Sequence, residues 1–171
     1  MKKSDIKTMP PFFDRYINLA DDKNVVDVLQ DQLEIDLIYT QACETLQDRT
    51  YAEGKWTIKD IFQHVIDNER IQAYRALRFA RGDESPLPGY EEAAYGQSAK
   101  AKWRDTDALL EEFEYVRKGT IALFKSFDRE MLFREGICYN IKISVLALGF
   151  VMAGHQIHHL NIIRERYLPL L

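Results

Sequence analysis

Three of the four histidines in this 171-residue chain lie in one hexapeptide, "GHQIHH" at Gly154–His159, and the fourth is His64. At about 100° per residue, His155 and His159 project about 40° apart on one side of a helix. Val145, Leu148, Met152 and Ile163 share that side, so it is the core-facing stripe. His158 projects well away from it, beside Asn161 and Glu165. An HxxxH pair presents two imidazoles to one point, and a third from a facing helix completes a half-shell. Three neutral nitrogens can hold a divalent transition metal and leave positions open for water and substrate. The alternative is a polar seam in which the same histidines bind nothing and bridge core to surface through hydrogen bonds.

The elements that must bring His64 to that pair are helical. Val25, Leu29, Leu33 and Leu37 recur every fourth residue, which predicts a helix over about 24–47. A second helix, about 57–81, starts at Thr57 with Asp60 three residues on as a capping box and Trp56 opposite Ile61 as a staple. Gly82 offers it a left-handed end. Its apolar stripe is Ile58, Ile61, Val65, Ala76 and Phe79, with His64, Asn68 and Arg75 at the edge and Glu69 inside. A carboxylate there is costly unless paired, hydrogen-bonded or near a metal. Glu69 is thus a candidate base, and neutralising Arg75 or Arg78 is its simpler role.

A proline- and glycine-bearing connection, residues 82–98, follows; with Pro86, Pro88, Tyr90 and Tyr95 it could form a lid or one wall of a pocket, with a surface connection or part of a dimer contact as its alternative role. The third helix is expected over about 107–127, with Leu109, Phe113, Val116, Thr120, Leu123 and Phe127 inward. "REGICYNIKI" reads as an extended crossing. Ser144 then caps a fourth helix, about 144–167, which stops before Pro169. The fold class is all-α: a four-helix bundle with long connections, one domain over 1–171 with a leader over about 1–23.

Composition narrows the partners. A formal net charge of −4, with no dense basic stripe, argues against nucleic acid. The apolar run "SVLALGFVMAG" is shorter than the roughly 20 residues of a membrane span. The first residues lack the apolar core of a secretory signal, so a cytoplasmic, soluble protein is expected. Cys43 and Cys138 form no CxxC motif and read as free thiols. Trp56 and Trp103 read as packing residues.

"GKWTIKDIFQHVIDNERIQAYRALRFARGD", followed by "AGHQIHHLNIIRERYL", closely resembles the DinB-like (YfiT-type) superfamily. Trp56, Thr57, Lys59, His64, Asp67, Glu69, Arg70, Tyr74 and Arg75 carry the first part of the likeness, and the run from Gly154 to His159 the second. The resemblance implies a four-helix bundle binding a divalent metal through His64, His155 and His159. Nickel or zinc is the first expectation, manganese or iron the second, and a homodimer is implied. Some relatives look like thiol-dependent S-transferases or isomerases, others like metal-dependent hydrolases.

The expected function is therefore a metal-dependent enzyme that activates a low-molecular-weight thiol or water against a small-molecule substrate. Arg75 is a candidate for holding an anionic group of that substrate, with a salt bridge as its alternative role. Asp67, one turn after His64, could orient an imidazole. The competing class is a non-catalytic metal-binding or stress-associated bundle. Its closed site would need a fourth protein ligand, for which Glu69 is a candidate.

Overall fold

The computed structural model describes the whole chain, Met1–Leu171. Its framework is the expected four-helix bundle, and the three long helices lie close to their sequence-based limits. Helix α4 (Ile58–Ala80) opens with the capping box: the Thr57 hydroxyl accepts from the Asp60 amide, and the Asp60 carboxylate accepts from the Thr57 amide. Helix α6 (Thr106–Lys125) is capped by Asp105 and helix α8 (Val145–Ile162) by Ser144. Helix α8 runs on through a π-helical stretch, Ile163–Tyr167. Helix α4 packs on both α6 and α8.

The fourth wall differs from expectation. Residues 24–47 form two helices, α2 (Val25–Asp31) and α3 (Leu37–Leu46). The break is held by donors from other helices. Arg117 Nη1 on α6 reaches the Leu29 and Gln32 carbonyls at 3.3 and 3.4 Å, and Gln156 Nε2 on α8 donates to the Gln32 carbonyl at 2.9 Å. Carbonyls that a continuous helix would satisfy internally are thus met from outside. The Leu33–Leu37 continuation fails with the break: Leu37 ends 69% exposed.

The leader is part of the core. A short helix, α1 (Asp14–Ile17), lies on α8, with Phe13, Ile17 and Ala20 buried. Gly154 makes this approach possible, because a Cβ there would stand 1.9 Å from the Tyr16 carbonyl oxygen. The 82–98 connection contains a helix, α5 (Glu92–Ala99). After α6 and a short α7 (Arg129–Phe133), the extended crossing is an antiparallel hairpin, β1 (Glu135–Cys138) and β2 (Ile141–Ser144). Tyr139 and Asn140 turn it with positive φ at both positions, as a two-residue primed turn requires.

The core is divided. One apolar cluster gathers Val28 and Leu29 of α2, Ala76 and Phe79 of α4, Phe124 of α6 and Leu146–Ala153 of α8. The other gathers Cys43 and Leu46 of α3, Ile58–Ile66 of α4, Leu109 and Phe113 of α6, and Ile163. Between the apolar positions of α4, α6 and α8 lie buried polar residues: His64, Asn68, Glu69 and Gln72; Arg117 and Thr120; His155, Gln156 and His159. The inward face of α6 is rotated from the predicted one, since Arg117, Ile121 and Phe124 are buried while Val116 and Leu123 are only partly so.

Candidate metal centre

Helix α4 brings His64 to face the pair on α8. His64 Nε2 lies 3.1 Å from His155 Nε2, and His159 Nε2 lies 3.2 Å from the same atom. All three rings are buried, and their donor atoms lie within 4.8 Å of one another. His158 is half-buried, edge-on to Tyr16, and outside the nitrogen cluster. Trp56 packs on His64 with ring centroids 4.8 Å apart, and the Tyr167 hydroxyl donates to the Trp56 carbonyl. Tyr16 meets His155 edge-on at 5.1 Å. These aromatic contacts restrict the rings from both sides.

The arrangement fits a divalent transition metal. Both short contacts involve His155 Nε2, which in a neutral ring is a donor or an acceptor but not both. Hydrogen bonding between neutral rings therefore satisfies only one of the two well. A tetrahedral ion bonded to each nitrogen at about 2.0–2.1 Å would separate them by about 3.4 Å, a few tenths beyond the two contacts of His155 Nε2, and the whole set lies within 4.8 Å. The rings also favour the uncharged state that coordination needs. Burial lowers His64 to about 4 and His159 to about 3, with neighbouring histidines adding to each shift. Burial, then His159 and His64, pushes His155 well below its ordinary value.

Glu69 is placed elsewhere. Its two carboxylate oxygens accept from Arg117 Nε at 2.8 Å and Nη2 at 2.7 Å, with both side chains buried. Its partner is Arg117, not Arg75 or Arg78. Both oxygens are engaged in this fork, and the donor cluster contains histidines alone. Arg78 pairs with Asp83. Asp67 accepts from Gln63 Nε2 at 3.0 Å and orients no imidazole. Cys43 and Cys138 are buried in the apolar clusters. Trp103 is 78% exposed, which removes it from the packing residues.

Two recesses reach the histidines. A cavity of about 280 Å³ is lined by His155 together with Tyr16, Asn68, Gln72, Arg75 and Tyr90. Part of the 82–98 connection forms its wall, through Gly89–Ala93. Burial pushes the Tyr90 hydroxyl up to about 12, and it accepts from Asn68 Nδ2 at 2.8 Å. A smaller recess of about 180 Å³ is lined by His159, Trp56, Lys55, Tyr51 and Tyr167. Gln156, Arg117 and Tyr16 were not singled out by sequence reasoning, whereas Tyr90 belongs to the connection expected as a pocket wall. Arg117 had a signal: it stands four residues after Phe113 and three before Thr120, in the register of an inward face.

The fold and the cluster together define a class: a helical bundle whose polar mid-layer presents three histidine nitrogens to one point. The chain belongs to the DinB superfamily, whose sequence profile matches residues 39–163. It is similar to a protein of Oceanobacillus iheyensis named "Putative metal-dependent hydrolase OB0413", with 29% identity over 117 residues. That match covers 66% of this chain and 65% of the relative, so the chain spans less than two thirds of the relative's length. YfiT from Bacillus subtilis, described as "a probable metal-dependent hydrolase with an unusual four-helix bundle topology", shares the fold at a TM-score of 0.68. Its sequence is 17% identical, and the alignment covers 96% of this chain and 91% of YfiT. No helix here is long and apolar enough to cross a membrane.

Proposed function

We propose that His64, His155 and His159 hold a divalent transition metal, nickel or zinc by preference, through their Nε2 atoms, and that the centre is catalytic. When bound, such an ion lowers the pKa of a coordinated water or thiol toward neutrality and polarises a substrate oxygen or sulfur. The observation that carries this reading is the donor set: three convergent histidines, no carboxylate or thiol among them, and a cavity beside His155. A structural site is usually closed by a fourth protein ligand, whereas three ligands with an approach leave a place for exchange. The names of the Oceanobacillus iheyensis and Bacillus subtilis relatives agree with metal-dependent hydrolysis.

The protein's own residues bind and position. Trp56 and Tyr16 limit ring motion at His64 and His155. The aromatic and amide side chains of the larger cavity orient a small organic substrate. One observation favours a thiol over water as the nucleophile. The second recess reaches the centre through His159, separate from the cavity at His155, which suits two organic reactants. A thiol also needs less help in losing its proton than water, and Glu69 is not free to serve as base.

Elemental mass spectrometry of tag-free protein tests the centre. About one equivalent of metal per chain is expected, lost in H155A/H159A and retained in H158A. Absence of metal after reconstitution, or its retention in the double variant, would overturn the assignment. Turnover of a chromogenic ester, with and without a small thiol, then separates hydrolysis from thiol transfer.

A further inference from the structure

Two arginines are buried in this bundle, and their surroundings differ. Arg117 faces Glu69 in a two-pronged ion pair. Arg75, 4% exposed, takes part in no ion pair. Its acceptors are neutral: the Pro88 carbonyl at 2.7 Å and Gln72 Oε1 at a long 3.3 Å. A guanidinium has five N–H donors in a fork matched to a carboxylate. Holding one carbonyl requires only a neutral donor, so burying a full charge for that purpose costs more than the hydrogen bond returns.

Arg75 lines the cavity that reaches His155. Two further polar side chains of that wall, Asn68 and Gln72, are buried, and Asn68 Oδ1 has no hydrogen-bond partner. The other walls include Phe12, Tyr16 and Tyr139. The carboxylates in the lining, Glu91 and Glu92, belong to exposed residues. At about 280 Å³ the space suits a small molecule rather than a polymer.

We propose that this cavity binds a small aromatic or unsaturated monocarboxylate, with its acid group on the Arg75 guanidinium and its planar body among the aromatic walls, reaching toward His155. A single guanidinium matches one negative charge, and Glu91 and Glu92 disfavour a multiply charged ligand. The binding site stands on the cavity itself. That the bound acid is a substrate rests on the metal-centre reading above.

Benzoate is the probe, titrated calorimetrically into full-length protein of measured metal content, before and after chelation. It should bind both forms, and R75Q should bind it about tenfold to a hundredfold more weakly with unchanged metal content. R75Q keeps an amide that can serve the Pro88 carbonyl, and R75K, which keeps the charge, should recover part of the binding. A readout without substitution is the Arg75 Nε–H resonance of the wild-type protein, which should shift saturably with benzoate. No saturable binding by the wild type overturns the proposal, as does wild-type affinity in folded R75Q or tighter binding of inorganic phosphate. Binding lost on chelation but kept in R75Q would place the acid on the ion instead, and also overturns it. Protein without metal that still binds benzoate through Arg75 supports the carboxylate site while removing the metal-centre reading.

Discussion

Replacing Arg117 with methionine should leave Glu69 as a buried carboxylate with no counter-charge. The two side chains are 0% and 2% exposed, so water cannot take over the lost partner without opening the bundle. Breaking a buried pair by removing one member costs about 3–5 kcal/mol. The lost contacts to the Leu29 and Gln32 carbonyls are long and add about 1 kcal/mol at most. For a chain of this size, R117M should therefore melt about 6–24 °C below the parent.

The informative comparison is E69M/R117M, which replaces both charges with apolar side chains of similar length. It should regain most of the loss, because the remaining layer then contains no isolated charge. Urea unfolding of the parent, R117M, E69M and E69M/R117M, followed by far-ultraviolet circular dichroism with and without chelator, gives all four corners of the cycle. R117M within about 1 kcal/mol of the parent would refute the reasoning, since the carboxylate would then have found another partner or solvent. A double variant no better than R117M would also refute it. E69Q separates a structural carboxylate from a base: it should lose stability, whereas a base would lose turnover at full stability.

Gly154→Ala should cost about 1–3 kcal/mol and loosen α1 from α8, because the new Cβ meets the Tyr16 carbonyl oxygen rather than a side chain that can turn away. A thermal melt checks it, and an unchanged midpoint would show that the α1 contact adapts. In metal-free protein, His64 and His159 have folded pKa values of about 4 and about 3, below the unfolded value near 6.5. Below pH 6.5 the unfolded chain takes up protons that these folded rings refuse, so stability should be level above that pH and fall toward pH 4. His64 alone accounts for about 3 kcal/mol of the fall. Urea midpoints measured in chelator that stay flat from pH 6.5 to 5 would contradict this.

The parts of this molecule legible in sequence are those that depend on a single helix. Thr57 with Asp60 marks the start of α4, Ser144 marks the start of α8, and four-residue spacing places His155 and His159 inward with His158 apart. What depends on how helices rotate against each other was not legible. Arg117 lies on α6, and only the crossing with α4 makes it the partner of Glu69 in place of Arg75 or Arg78, which lie about two turns or more along α4. The break after α2 is likewise stabilised by Arg117 and Gln156, so local periodicity from Val25 to Leu37 pointed to one helix. The α1 packing rests on a missing Cβ at Gly154, which a pattern of apolar residues does not register.

The polar mid-layer connects these cases. In α4, α6 and α8 alike, apolar inward positions give way to polar ones and then resume. A continuous apolar core would be at least as stable, because buried charges and imidazoles lose solvation that hydrogen bonds only partly return. The layer is therefore poorly explained by stability alone. Glu69, Arg117 and Gln156 satisfy one another or the ends of α2, and so account for their own burial apart from the Gln156 carbonyl oxygen. The three histidines do not. Their short contacts converge on His155 Nε2, and His159 Nδ1 has no partner. A shared cation would resolve the Nε2 convergence, which makes coordination the simplest physical reason for placing these three rings in the middle of the bundle.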